Sequence, residues 1–266
     1  MKRMIPVRLA VMLLVAGAPA TGSTVASSCH LRLVHAGPNL GTLSFTVNPT
    51  HRGVSTPSLR SETSYGEVVE FQALPGGRYE AKVASGGREL DRLRLGCDPG
   101  GYYTLIAFGL GSSNVDLPST WRDRMKRIFG GVEARVDRGG LLQLKLLRDA
   151  LGKDTESGYL RVVHAAPGVV PLSATIPTGQ ERTHMASELP YAGTGETRRI
   201  SPGTRPVEVR FQGARLSTAS TELEVRAAHL YTLIVIGSPV RADRPLEILT
   251  LSNPIRVRLS EPLWTP

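Results

Sequence analysis

The chain states one pattern twice, and that duplication limits what it can fold into more than any other feature. Residues 31–36 read Leu-Arg-Leu-Val-His-Ala and residues 160–165 read Leu-Arg-Val-Val-His-Ala, each followed by a proline, Pro38 or Pro167. Tyr103-Thr104-Leu105-Ile106-Ala107-Phe108-Gly109 is answered by Tyr231-Thr232-Leu233-Ile234-Val235-Ile236-Gly237. His35 and Tyr103 stand 68 residues apart, and His164 and Tyr231 stand 67 apart. Two matches in one order at nearly one separation describe a tandem of two copies of a single module. The fold must therefore close twice, and no catalytic motif is shared by the two copies.

The module is β-rich. Aromatic residues make up only 5% of the chain, while 28 glycines and 19 prolines supply abundant turn chemistry, a balance that suits many short strands and not a helical bundle. In the first copy, alternation and turn signals predict strands near 31–36, 42–47, 67–73, 78–84, 89–95, 102–108 and 141–147. Tyr79, Ala81 and Val83 point one way and Glu80 and Lys82 the other. Leu74-Pro75-Gly76-Gly77 supplies a turn, proline presetting one dihedral and glycine accepting positive φ. Residues 102–108 are more uniformly apolar, as in a strand buried on both faces. In the second copy strands are expected at 159–164, 171–176, 195–200, 205–211, 221–226, 230–236 and 246–251, with Ile200-Ser201-Pro202-Gly203 as the matching turn. The expected fold class is all-β: two tandem seven-stranded immunoglobulin- or transthyretin-like β-sandwiches, with one short amphipathic helix inserted in the first. No long helical pattern alternates with the strands, so parallel α/β folds are excluded.

The expected organisation is a signal peptide over 1–28 and a first sandwich over 29–152. A second sandwich follows over 158–254, then a tail over 255–266. Lys2, Arg3 and Arg8 form a charged region, Leu9 to Ala16 an apolar one, and small residues follow; this is the pattern of an export signal. The apolar run is shorter than the roughly 20 residues of a spanning helix, so the mature chain is read as exported, to the periplasm or cell surface. Formal net charge is +9, and the leader's three basic residues leave +6. Dispersed basic residues without interleaved aromatics argue against nucleic acid as a partner.

Two cysteines, Cys29 and Cys97, both lie in the first copy. In an oxidising compartment their default is a disulfide. The competing reading acylates Cys29 as a lipoprotein anchor, but Ala26-Ser27-Ser28-Cys29 fits a lipobox poorly and acylation leaves Cys97 unpaired.

One segment breaks the symmetry. Trp121, Met125, Ile128, Phe129 and Val132 recur at helical spacing within about 118–132, with Arg122, Arg124, Lys126 and Arg127 opposite. Such a helix either packs on its own protein or lies on an anionic membrane surface, making Trp121, Arg122, Arg124, Met125, Lys126, Arg127 and Phe129 candidate membrane or partner contacts.

Val34-His35-Ala36-Gly37-Pro38 and Val163-His164-Ala165-Ala166-Pro167, with the Leu-Pro-Gly-Gly-x-Tyr turn and the Tyr-Thr-Leu-Ile strand, carry a resemblance. Both copies are similar to the domain of unknown function 4397, a bacterial family of exported and cell-surface proteins often found in tandem. The resemblance covers roughly 30–150 and 158–254, though Gly203-Thr204-Arg205-Pro206 lacks the turn tyrosine. It implies a β-sandwich in the cell envelope and brings no catalytic residues with it.

His35 and His164 are equivalent by repeat, and so are Tyr65 and Tyr191; these four are the candidate binding residues. Neither histidine has a His, Cys or carboxylate at ligand spacing, so no metal and no cofactor are expected. A histidine bonded to a neighbouring loop, and a tyrosine capping the sandwich, are the structural readings of the same residues. No nucleophile elbow, His-Glu-x-x-His helix or phosphate loop is present. The leading functional expectation is a non-enzymatic envelope module that binds a surface polymer or another protein. The alternatives are peripheral membrane docking through 119–132, or a hydrolase in which His164 or His184 meets Glu188 or Glu196.

Overall fold

The structure, a computed structural model, describes residues 28–50, 58–110, 142–149, 155–167, 171–178, 181–212, 219–237 and 245–254. The expected leader, the amphipathic segment 118–132 and the tail lie outside the described residues. Every regular element among the described residues is a β-strand. They are β1 (Ser28–Ala36), β2 (Leu43–Pro49), β3 (Leu59–Thr63), β4 (Val68–Pro75), β5 (Gly77–Ser85), β6 (Arg88–Cys97), β7 (Tyr102–Phe108) and β8 (Gln143–Arg148) in the first copy. The second supplies β9 (Gly158–His164), β10 (Leu172–Thr178), β11 (Glu181–Leu189), β12 (Arg198–Ile200), β13 (Gly203–Phe211), β14 (Ala219–Val225), β15 (His229–Ile236) and β16 (Glu247–Pro254).

Each copy builds two four-stranded sheets in one order. The first makes β4-β1-β7-β8 and β3-β2-β5-β6; the second makes β12-β9-β15-β16 and β11-β10-β13-β14. The first strand of each copy runs parallel to the seventh, with Leu33 opposite Leu105 and Val162 opposite Leu233. Each sandwich closes on its own apolar cluster. Leu31, Leu33, Phe45, Val47, Tyr79 and Leu105 fill the first. Leu160, Val162, Leu172, Val207, Val209 and Leu233 fill the second.

Three expectations need correction. Among the described residues each copy has eight strands, not seven. The additional strands are β3 and β11, edge strands paired on one side only. β3, Leu-Arg-Ser-Glu-Thr, alternates in burial but offers Leu59 as its one apolar side chain, and β11, Glu-Arg-Thr-His-Met-Ala-Ser-Glu-Leu, is irregularly buried, so neither shows an apolar alternation. β11 is further broken by a bulge, with Glu188 at φ 49°. The strand order also departs from the immunoglobulin type, where the first two strands share a sheet; here β1 and β2 lie in opposite sheets. The strand expected over 195–200 is only three residues long, Arg198–Ile200.

Gly237 closes β15 at φ 99°, and a Cβ there would lie 2.1 Å from the carbonyl oxygen of Pro245. Gly237→Ala is therefore expected to cost at least about 2 kcal/mol, from the left-handed backbone and the clash together. Urea unfolding of the variant checks this; an unchanged midpoint would refute the backbone assignment.

Candidate functional site

The two histidine–tyrosine pairs form as corners of the sandwiches. His35 and His164 end their strands with the ring turned inward, each 0% exposed. The Tyr65 ring meets His35 edge-on at 6.1 Å between centroids, and Tyr191 meets His164 in the same way at 5.9 Å. The residue after each tyrosine takes a left-handed turn, Gly66 at φ 79° and Ala192 at φ 64°. Its amide donates to the histidine carbonyl, at 2.9 Å in the first copy and 2.8 Å in the second. Both ring nitrogens of His35 are engaged: Nε2 donates to the Gly41 carbonyl at 2.9 Å and Nδ1 accepts from the Gly37 amide at 3.1 Å. That fixes the neutral Nε2-H tautomer. Burial raises the Tyr191 phenol well above its ordinary range. The histidine and tyrosine expected as a pair in each copy thus meet, with both histidines buried.

A second arrangement lies between the sandwiches. Strand alternation sends Leu31, Leu33, Leu105 and Leu144 into the first core. Val34, Ala36, Ile106, Phe108 and Leu147 point out of it. These outward side chains meet Val163, Ala165, Tyr191, Ile234, Ile236 and Leu251 from the second copy in a third buried cluster. The Phe108 and Tyr191 rings meet across it at 5.8 Å.

Within the same seam lie Arg32, 3% exposed, and Arg161, 5% exposed, equivalent residues of the repeated hexapeptide. Their hydrogen bonds follow a local two-fold. Arg32 Nε donates to the Thr104 hydroxyl at 3.3 Å, and Arg161 Nε to the Thr232 hydroxyl at 2.9 Å. Each then reaches the last strand of the other copy, Arg32 Nη1 donating to the Ser252 carbonyl at 3.3 Å and Arg161 Nη1 to the Arg148 carbonyl at 2.9 Å. One carboxylate joins them. Asp149 Oδ2 accepts from the Thr104 hydroxyl at 2.9 Å and from Arg32 Nη2 at 3.5 Å, and Oδ1 accepts from Arg161 Nη2.

The strand registers place Asp149 opposite Tyr102 and Asn253 opposite Leu230, so Asn253 holds the two-fold equivalent of Asp149. Two buried guanidiniums share one carboxylate because the second copy carries the neutral isostere. Burial lowers the Arg32 pKa; Asp149 and Glu70 act in the opposite sense, and Arg161 adds to the lowering. The Phe71 ring, 4.5 Å from Arg32 Cζ, covers one face of that guanidinium.

Lys145 crosses the same seam, Nζ donating to the Ala192 carbonyl at 2.5 Å. Burial lowers its pKa, so the unfolded chain binds the proton more tightly. Stability is therefore expected to rise with pH as it climbs from the folded pKa toward the ordinary 10.5. Denaturant titrations of wild type and Lys145→Met across that interval check the sign; parallel curves would overturn it.

A groove opens on the first sandwich alongside β2, β5 and β6. Asn48, Thr50, Arg78, Tyr79, Glu80 and Arg94 contribute to its lining, and its volume is about 680 Å³. The expected disulfide joins Cys29 to Cys97 with Cα atoms 5.7 Å apart, which leaves no thiol on Cys29 for an acyl anchor. Of the residues considered for hydrolysis, His184 lies on the exposed edge strand β11, whereas His164 is buried. Among the described residues, no group of three or more His, Cys, Asp or Glu is placed to hold a metal ion. Trp121, Arg122, Arg124, Met125, Lys126, Arg127 and Phe129 lie outside the described residues. The seam arginines went unmarked in the sequence reading. Their signal was a charged residue at one position in both copies, with an aliphatic residue on either side.

No family model matches the chain, and no curated protein matches it. Among solved structures, similarity extends to the TIE protein of Bacillus anthracis, 12% identical over 80% of this chain and 34% of that one, at a TM-score of 0.24. This chain thus spans about a third of that protein's length. The tip fimbrial protein Mfa3 of Porphyromonas gingivalis, with C-terminal truncation, is 7% identical over 85% of this chain and 99% of its own, at 0.25. A family CBM26 module from Eubacterium rectale Amy13K, solved with maltoheptaose, is 10% identical over 86% of this chain and 98% of its own, at 0.24. Similarity at this level carries no argument about binding, so function rests on the geometry of the chain itself.

Proposed function

We propose that the chain is a non-enzymatic, exported module of the cell envelope, built as the tandem sandwich of the family its repeats resemble, that binds a surface polymer or a protein partner. The seam carries this reading. It consumes one face of the β4-β1-β7-β8 and β12-β9-β15-β16 sheets. The outer faces of the other two sheets present charged side chains to solvent, among them Lys82, Arg92 and Arg94 on one and Arg182, Glu222 and Glu224 on the other. A joint with an apolar cluster and a shared buried carboxylate holds two such faces at a fixed relation, which suits multipoint attachment to a repetitive surface. The polar side chains that suggested chemistry, His35 and His164, are committed to holding the corners.

The test is sedimentation of the purified full chain with isolated envelope polymer and with envelope proteins. Co-sedimentation of the chain with chemically unchanged polymer or protein supports the reading. Absence of binding to any envelope fraction, or recovery of cleaved polymer, overturns it.

A further inference from the structure

Resting on the binding reading above, we infer that the groove of the first sandwich is a site for an acidic polysaccharide, gripping its carboxylate or phosphate groups through Arg78 and Arg94. The groove is made of two cross-strand rows. Asn48, Glu80 and Arg94 stand side by side in one, because Asn48 pairs with Glu80 and Glu80 with Arg94. In the next row Arg78 pairs with Gly96, and Thr50 closes it by donating from its amide and its hydroxyl to the Arg78 carbonyl at 3.0 and 3.1 Å. Gly96 leaves the space beside Arg78 open: a Cβ there would meet nothing within 4 Å.

The charges in this patch are available. Among the described residues Arg78 has no carboxylate within ion-pair distance. Arg94 is 86% exposed, and its ion pair with Glu80 Oε1 is long, at 4.0 Å, while Lys82 takes Glu80 Oε2 at 3.4 Å. Two planar guanidiniums on neighbouring rows suit bidentate capture of oxyanions. Asn48 and Glu80 add a donor and acceptors for ring hydroxyls.

The duplication supplies an internal comparison. By register the places of Asn48, Arg78, Glu80 and Arg94 are taken in the second copy by Pro177, Thr204, Pro206 and Glu222. Both guanidiniums are gone and a carboxylate stands in place of one. The groove's rim is also stapled only in the first copy, since Cys97, next to Gly96, pairs with Gly77 and bonds Cys29. A pre-ordered rim lowers the cost of binding. An extended acidic peptide fits less well. β5 is hydrogen-bonded on both sides, to β2 and β6, so a peptide strand could add only at the outer edge of β6, beside the groove and not within it.

The experiment measures binding of the full chain to polygalacturonate, to a glycerol-phosphate polymer, to neutral dextran and to polyglutamate. The variants are Arg78→Ala/Arg94→Ala and, as an equal loss of charge on the second sandwich, Arg198→Ala/Arg226→Ala. Thermal unfolding confirms that both variants fold. The expected result is binding to one or both acidic glycans, lost about tenfold or more in the groove variant and less than about twofold in the control. The two acidic polymers separate a carboxylate from a phosphate source. Equal losses in both variants, an unaffected groove variant, or equal binding of polyglutamate would overturn the inference. If wild type still sediments with envelope material while the groove variant matches it, the groove fails and the broader binding reading stands. If wild type binds no envelope fraction at all, both fail.

Discussion

Asp149→Asn is expected to destabilise the chain by about 3–5 kcal/mol, the cost of leaving buried guanidiniums without their carboxylate. Asp149 is the only acidic side chain that bonds either seam arginine among the described residues, and it bonds both. Arginine cannot escape by releasing its proton, because its guanidinium stays charged at any ordinary pH. The two-fold supplies a rescue. Asn253 occupies the equivalent position, 3% exposed, on the last strand of the second copy. A carboxylate placed there by Asn253→Asp faces Thr232 and Arg161 from its own side and Arg32 from the other. Asp149→Asn/Asn253→Asp is therefore expected to recover most of the lost stability, measured by denaturant unfolding. A double variant no more stable than Asp149→Asn would refute the pseudo-symmetric seam. If Asp149→Asn alone matched wild type, the seam would not depend on this charge.

Removing the disulfide, as Cys29→Ala/Cys97→Ala, is expected to lower stability by roughly 4 kcal/mol, the chain-entropy value for a loop of this length. The bridge closes 68 residues of sequence separation and ties the first strand to the end of β6. Both cysteines are fully or almost fully buried in the first core, so the alanines also leave small voids. The second copy shows how the site works without sulfur. Gly158 and Val225 stand where Cys29 and Cys97 stand in the first, and a Cβ on Gly158 would come within 2.5 Å of Val225 Cγ1. A small residue under a branched one fills there the space that a covalent bond fills in the first copy. Calorimetry with and without reductant checks the prediction, which fails if reduction leaves unfolding unchanged.

Particular residues show what was legible. The Tyr79/Ala81/Val83 alternation gave β5 its register, and the apolar runs over 103–108 and 231–236 announced strands buried on both faces. Edge strands β3 and β11 stayed hidden, since β3 holds a single apolar side chain, Leu59, and a bulge breaks the period of β11. The repeated histidines and tyrosines drew attention as polar residues, yet their rings turn into the sandwich corners. Arg32 and Arg161 carry no expectation from the sequence, and the structure buries both.

Two copies, strands in both, and the one possible cysteine pair are written in the amino-acid sequence. Those properties are local or compositional: periodicity, turn chemistry and repetition are written along the chain. What lies on the outer face of β1, β7, β9 and β15 emerges only when the two sandwiches pack. Alternation states that a face is apolar, not whether a sheet of the same sandwich or of the other one covers it. The meeting of Arg32, Arg161 and Asp149 needs three strands from two copies, and no short-range pattern encodes it.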